Sequence, residues 1–120
     1  MVTQFRKPFE EIVLEIPAGK LNYGEDALEC GKRELEEETG YTAKNYVPLG
    51  IYYPTPGYCL EKIHIYLATD LVKTHQHLDE DEFLDVHTMP LDELVKMVMD
   101  NKINDAKTAI AILKAKNILG

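Results

Sequence analysis

Cationic side chains are scarce in this chain: 13 Lys and Arg stand against 21 Asp and Glu, for a net charge of −8 over 120 residues. Phosphate-rich polymers and anionic membranes would meet like charge over most of the surface, so neither nucleic acid nor a membrane is an expected partner. An acidic protein still binds phosphates when a metal ion stands between the two. Cysteine is scarce as well. Cys30 and Cys59 are too few for a disulfide framework and lack metal-ligand spacing, which points to a reducing cytoplasm. Long apolar runs are missing. The longest are about as short as Ala109–Leu113, against the roughly 20 residues a membrane span needs. The opening residues Met1–Pro8 carry charge where a secretory signal would be apolar. No internal repeat, low-complexity segment or linker appears. A single cytoplasmic domain over residues 1–120 is expected, with an ordinary globular composition.

Segments with strand character alternate with helical ones. Val2–Arg6 and Ile12–Ile16 read as strands split by the turn at Lys7-Pro8. Residues 17–24 are a loop containing Gly19 and Gly24, and Glu25–Thr39 reads as a helix stopped by Gly40. Tyr46–Tyr53, Ile63–Thr69 and Phe83–Val86 read as strands, with an acidic loop at Asp79–Glu82. Leu91–Met99 and Ala106–Leu119 carry helical periodicity, the latter with an expected stripe of Ala109, Ile112, Leu113 and Lys116. This order predicts an α/β layered domain.

The helix at Glu25–Thr39 breaks a local rule. Glu34, Glu36, Glu37 and Glu38 crowd its C-terminal turn, where the helix dipole disfavours anions. Glu34 and Glu38 lie about 40° apart around the helix, with Glu37 about 60° away on the other side. Such neighbours repel by roughly 0.2–0.5 kcal/mol per pair unless a counter-ion intervenes. An arbitrary acidic run is more often a solvated face, here with Lys32 and Arg33 pairing to Glu36 and Glu37. Those pairs run cation before anion, the weaker order, and no helical cation stands three or four residues from Glu34 or Glu38. Clustered carboxylates of this kind are the hard-oxygen ligand set of Mg²⁺, or of Mn²⁺ as a substitute.

Spacing sharpens this reading. Gly19, five residues, Glu25, seven residues, Arg33-Glu34-Leu35, one residue, Glu37-Glu38, one residue and Gly40-Tyr41 form a set with a very low chance of arising at random. The chain resembles the Nudix hydrolases, a family that cleaves nucleoside diphosphates linked to another group with divalent metals. The resemblance implies an α/β/α sandwich with a mixed β-sheet. It implies metal ligation by Glu34, Glu37 and Glu38 and by the backbone carbonyl of Ala18. Arg33 is expected to orient a glutamate by salt bridge, and Glu37 to share in catalysis. Gly19, Glu25 and Gly40 hold the motif together.

The flanking segments are similar to the ADP-ribose pyrophosphatase branch: Gln4–Pro8, Leu14–Lys20, Pro56-Gly57 with Glu61, Asp79–Phe83 and Asn104–Thr108. From the acidic loop the resemblance implies Glu80 as catalytic base and Glu82 as a further metal ligand. Arg6 is a candidate phosphate contact, because a guanidinium suits a diphosphate bidentately. Glu15, Pro56, Gly57 and Glu61 are the other expected substrate-binding residues. The four histidines are scattered and are assigned nothing. Members of this branch carry a further segment before the strand at Gln4–Arg6, including the first strand of the sheet. The chain is thus expected to be truncated relative to them, short of that strand, and to form a homodimer through its exposed edge. The implied activity is hydrolysis of ADP-ribose or a related nucleoside diphosphate sugar. The rivals are a nucleoside-triphosphate pyrophosphohydrolase and a non-catalytic nucleotide- or metal-binding module.

Overall fold

The computed structural model describes residues 1–120. Two strands, β1 (Val2–Arg6) and β2 (Glu11–Glu15), pair antiparallel across a single 3-10 turn at Lys7–Phe9, with Val2 opposite Glu15. Helix α1 (Ala27–Thr39) follows, then a long hairpin of β3 (Tyr41–Tyr52) and β4 (Ile63–Lys73). The short β5 (Leu84–Val86) returns to pair with β1, and helices α2 (Leu91–Met99) and α3 (Ala106–Leu119) close the chain.

The strands form two antiparallel sheets, β2-β1-β5 and β3-β4, where a single mixed sheet was expected. Connection length explains the difference for the two hairpins: parallel neighbours need a crossover of a dozen or more residues, and these turns are shorter. The layered α/β architecture is as expected. Adjacent residues of β4 point to opposite faces. Ile65 packs with Leu49 and Ala111 of α3, whereas Tyr66 lies against Gly31 of α1. Helices therefore cover both faces of the β3–β4 hairpin. A second core, of Leu94, Ile103 and Ile112, joins α2 and α3 to Leu14 of the first sheet.

Strands β2 and β5 shift by one residue from the expected bounds, and α1, β3 and β4 differ more. Helix α1 begins at Ala27 because Asp26 caps it, accepting the backbone N–H of Leu28 and Glu29 at 3.1 and 3.4 Å; Glu25 stays in the loop. Gly40 ends the helix with φ 75°, a left-handed conformation that favours glycine. Strands β3 and β4 extend to Tyr41 and Lys73, past the polar stretch Thr42–Asn45, where Asn45 donates to Asp70 at 2.6 Å. In α3 the buried residues are Thr108, Ala111, Ile112 and Ala115, rather than the stripe expected at Ala109, Ile112, Leu113 and Lys116. The small alanines let the helix approach closely, and Leu113 is left exposed. No helix is long and apolar enough to cross a membrane.

Candidate active site

Loop 17–25 and α1 meet through one arginine. Arg33 grips Glu25 with Nε and Nη2 at 2.9 and 3.0 Å. Its Nη1 donates to Glu34 at 2.9 Å and to Glu37 at 3.1 Å, and Nη2 also reaches the Lys20 carbonyl at 3.3 Å. Glu25 accepts the Asn22 N–H at 3.0 Å as well. The Arg33 hydrogen bonds and that backbone donor hold the Glu25 carboxyl at about 2, and Glu25 in turn pushes the guanidinium of Arg33 upward. This places Arg33 where a glutamate-orienting residue was expected. It also gives Glu34 a cation that helical spacing alone did not: the adjacent Arg33 reaches along the helix surface to it.

Glu38 differs from its neighbours. It is 5% exposed, no cation lies within ion-pair distance, and its hydrogen bond from the Ala18 N–H is long at 3.3 Å. Burial raises its carboxyl to about 7, helped by the charges of Glu34 and Glu82 against the weaker pull of Ala18 and Arg6. Burial raises Glu34 too, opposed by Arg33 and assisted by Glu37 and Glu82. Gly19 leaves room for this arrangement, since a Cβ there would fall on the Glu34 carboxylate. A buried carboxylate repelled by two others, beside a glycine whose missing Cβ leaves space for Glu34, suits a divalent cation with oxygen ligands. As the side chains stand, no three His, Cys, Asp or Glu groups converge closely enough to hold a metal ion, and Glu34 and Glu37 are paired with Arg33.

The acidic loop is tied to the end of α1. Gln76 Nε2 donates to the Glu38 carbonyl at 2.6 Å and the His77 N–H to the Glu37 carbonyl at 2.7 Å, satisfying two helix-end acceptors. Beyond them Glu82 folds back to accept the Asp79 N–H at 2.9 Å, with Glu80 exposed at the turn.

On the first sheet, Arg6 donates to Glu15 through Nε and Nη2 at 2.7 and 2.8 Å. Glu15 is 3% exposed and also accepts from Lys107 Nζ at 3.1 Å. Burial alone would raise its carboxyl; the hydrogen bonds of Arg6 and Lys107 outweigh it, and the net shift is downward. The expectation of a direct substrate contact at Glu15 is revised accordingly: the side chain lies beneath Arg6 with both oxygens engaged. Pro56 and Glu61 line a cavity of about 380 Å³ with Tyr53 and Cys59, and Gly57 sits at an open turn. A second cavity, of about 260 Å³, lies between the end of the β3–β4 hairpin and α3, with Tyr52, Tyr53 and Lys107 in its wall. No α1 carboxylate lines either one.

Sequence reasoning assigned no role to Lys107, Thr108 or Gln76. One signal was legible for the turn that holds the first two: Asp105 ahead of an apolar-periodic run is a helix N-cap.

The layered α/β domain thus joins its glycine loop to its acidic helix through a half-buried arginine–glutamate lock. The NUDIX domain family matches residues 1–111, and the chain belongs to that family. It is 47% identical to the ADP-ribose pyrophosphatase of Bacillus subtilis (strain 168) and 46% identical to the methanol dehydrogenase activator of Bacillus methanolicus. Each comparison covers 93% of this chain and 62% of the relative. A solved structure described as an ADP compounds hydrolase superposes with a TM-score of 0.87 at 27% identity, covering 98% of this chain and 64% of that one. The chain thus spans less than two thirds of the length of these relatives. Hydrolases of this family generally need a divalent metal.

Proposed function

We propose that this domain hydrolyses the pyrophosphate bond of ADP-ribose, or of a related nucleoside diphosphate sugar, to AMP and ribose 5-phosphate or their counterparts. The observation that carries the reading is the acidic face of α1: Glu38 buried without a cation, Glu34 fitted against Gly19, and Arg33 locked to Glu25. Likeness to a pyrophosphatase of ADP-ribose supports the substrate class. Glu34, Glu37, Glu38, Glu82 and the Ala18 carbonyl would hold Mg²⁺, with Mn²⁺ as a substitute. When bound, the metal supplies charge neutralisation on the diphosphate and an oriented water.

The chain's own groups do the rest. Arg6, braced by Glu15, binds a phosphate oxygen with the N–H groups Glu15 leaves free. Glu80 accepts the proton of the attacking water as the new P–O bond forms and the bridging P–O bond breaks. Arg33 keeps Glu37 and Glu34 in register. Pro56, Gly57 and Glu61 border the sugar or base. A cytoplasmic location fits the two free cysteines, and a homodimer is the proposed assembly. The test is a panel of ADP-sugars, dinucleotides and nucleoside triphosphates assayed with Mg²⁺ and with EDTA. Release of AMP from ADP-ribose is expected; pyrophosphate from triphosphates alone would favour the rival hydrolase, and no turnover by the folded protein a binding module.

A further inference from the structure

The first turn of α3 is remote in sequence from the acidic face, yet it holds Glu15 and Ile16, which lead directly into the loop residue Ala18 that binds Glu38. Lys107 Nζ donates to Glu15 Oε1 at 3.1 Å and to both Asp105 oxygens at 3.0 and 3.1 Å. Thr108 is fully buried; its hydroxyl donates to Asp105 Oδ2 at 2.5 Å and accepts the Ile16 N–H at 3.0 Å. Two residues beyond Ile16, the Ala18 N–H reaches Glu38. Asp105 thus fixes both Lys107 and Thr108, and through them the end of β2 is fastened to α3.

The chemistry at Glu15 gives this a purpose. A buried carboxylate is tolerated when it is paired and hydrogen-bonded. With Arg6 as its only partner, Glu15 would neutralise that guanidinium outright. Sharing Glu15 with Lys107 satisfies the carboxylate with two cations. Arg6 then commits Nε–H and one Nη2 N–H to Glu15, and its three other N–H groups remain for a ligand. We propose that Lys107 is a positioning residue for the diphosphate, fixing the orientation of Arg6 through Glu15 without touching substrate itself. This inference rests on the hydrolase reading above.

The test compares Lys107→Met and Lys107→Arg with the wild type, by steady-state kinetics on ADP-ribose with Mg²⁺. Lys107→Met should raise KM about tenfold while kcat stays within about threefold, the pattern of lost binding rather than lost chemistry. Lys107→Arg should restore KM, because it returns a cation to Glu15. In an Arg6→Met background, Lys107→Met should have no more than about a twofold effect, since the residue it positions is gone. An unchanged KM in the single variant, or an equal rise in the Arg6→Met background, overturns the proposal. If Lys107→Met fails to fold, Lys107→Gln serves with the same expectations. A second readout does not need turnover: the ¹⁵N-detected Nε–H of Arg6 should exchange with solvent slowly in the wild type and faster in Lys107→Met. A wild type that hydrolyses nothing in the panel defeats the hydrolase reading, and the Arg6 exchange rates then decide the positioning role alone. Equal rates in the two proteins overturn it.

Discussion

Arg33 holds Glu25 across the junction of loop and helix with two hydrogen bonds, at 2.9 and 3.0 Å, and its other terminal nitrogen bridges Glu34 and Glu37. One side chain therefore sets the geometry of three carboxylates. Replacing it by Gln keeps some hydrogen bonding but removes the charge and the fork. Arg33→Gln should lower kcat/KM on ADP-ribose by about 10–100-fold, the range for groups that orient metal ligands. It should also lower the melting temperature, read by circular dichroism in EDTA.

Glu38→Gln keeps shape and removes a buried charge that no cation balances. Activity should fall by orders of magnitude, while the metal-free protein holds its stability or gains from relieved repulsion. Glu36 makes no hydrogen bond or ion pair through its side chain, so Glu36→Gln should change kcat/KM by less than about twofold, as surface substitutions usually do. Equal losses from both substitutions, measured side by side, would refute the assignment of the acidic face.

Gly19→Ala places a methyl group on the Glu34 carboxylate. The obstructed atoms are the flexible end of a side chain, so the fold should tolerate the change at a cost of about 1 kcal/mol or less. The carboxylate must move, however, and activity should drop with weaker apparent Mg²⁺ affinity. A chemical-denaturation curve and a Mg²⁺ titration of turnover separate the two effects.

The raised carboxyl of Glu38 gives a pH signature. Its folded value of about 7 lies above the ordinary 4.5, so folding takes up a proton between those values. Measured in EDTA, stability should therefore increase as pH falls from above about 7 toward about 4.5, and Glu38→Gln should remove that slope. Glu15 has the opposite sign. Its carboxyl is depressed, so its contribution is present above 4.5 and lost as pH falls through the folded value. Apparent Mg²⁺ affinity should rise with pH through about 7, because the ligand must lose its proton.

Where the chain states its structure locally, the sequence was readable. Helices α2 and α3 begin and end where periodicity puts them, and the glycine, arginine and glutamate spacing from Gly19 to Gly40 marks the family. One local signal competed with another: Asp26 caps Leu28 and Glu29, so Glu25 stays outside the helix despite suiting its first turn. The other differences lie where partners are distant. The stripe of α3 turned toward Thr108 because that hydroxyl answers Ile16, 92 residues away. The link from Lys107 to Glu15 spans the same separation and leaves no periodic trace. Two sheets replaced one because pairing is a tertiary choice that short alternating segments do not encode.

The measurement closest to the central claim is ³¹P NMR of ADP-ribose incubated with the protein and Mg²⁺, then with excess EDTA, then with Mg²⁺ restored. The account predicts loss of the diphosphate signals and growth of two phosphomonoester signals, AMP and ribose 5-phosphate, arrested by EDTA and resumed on adding metal. Hydrolysis that continues in EDTA, or undiminished hydrolysis by Glu38→Gln under the same conditions, would contradict it.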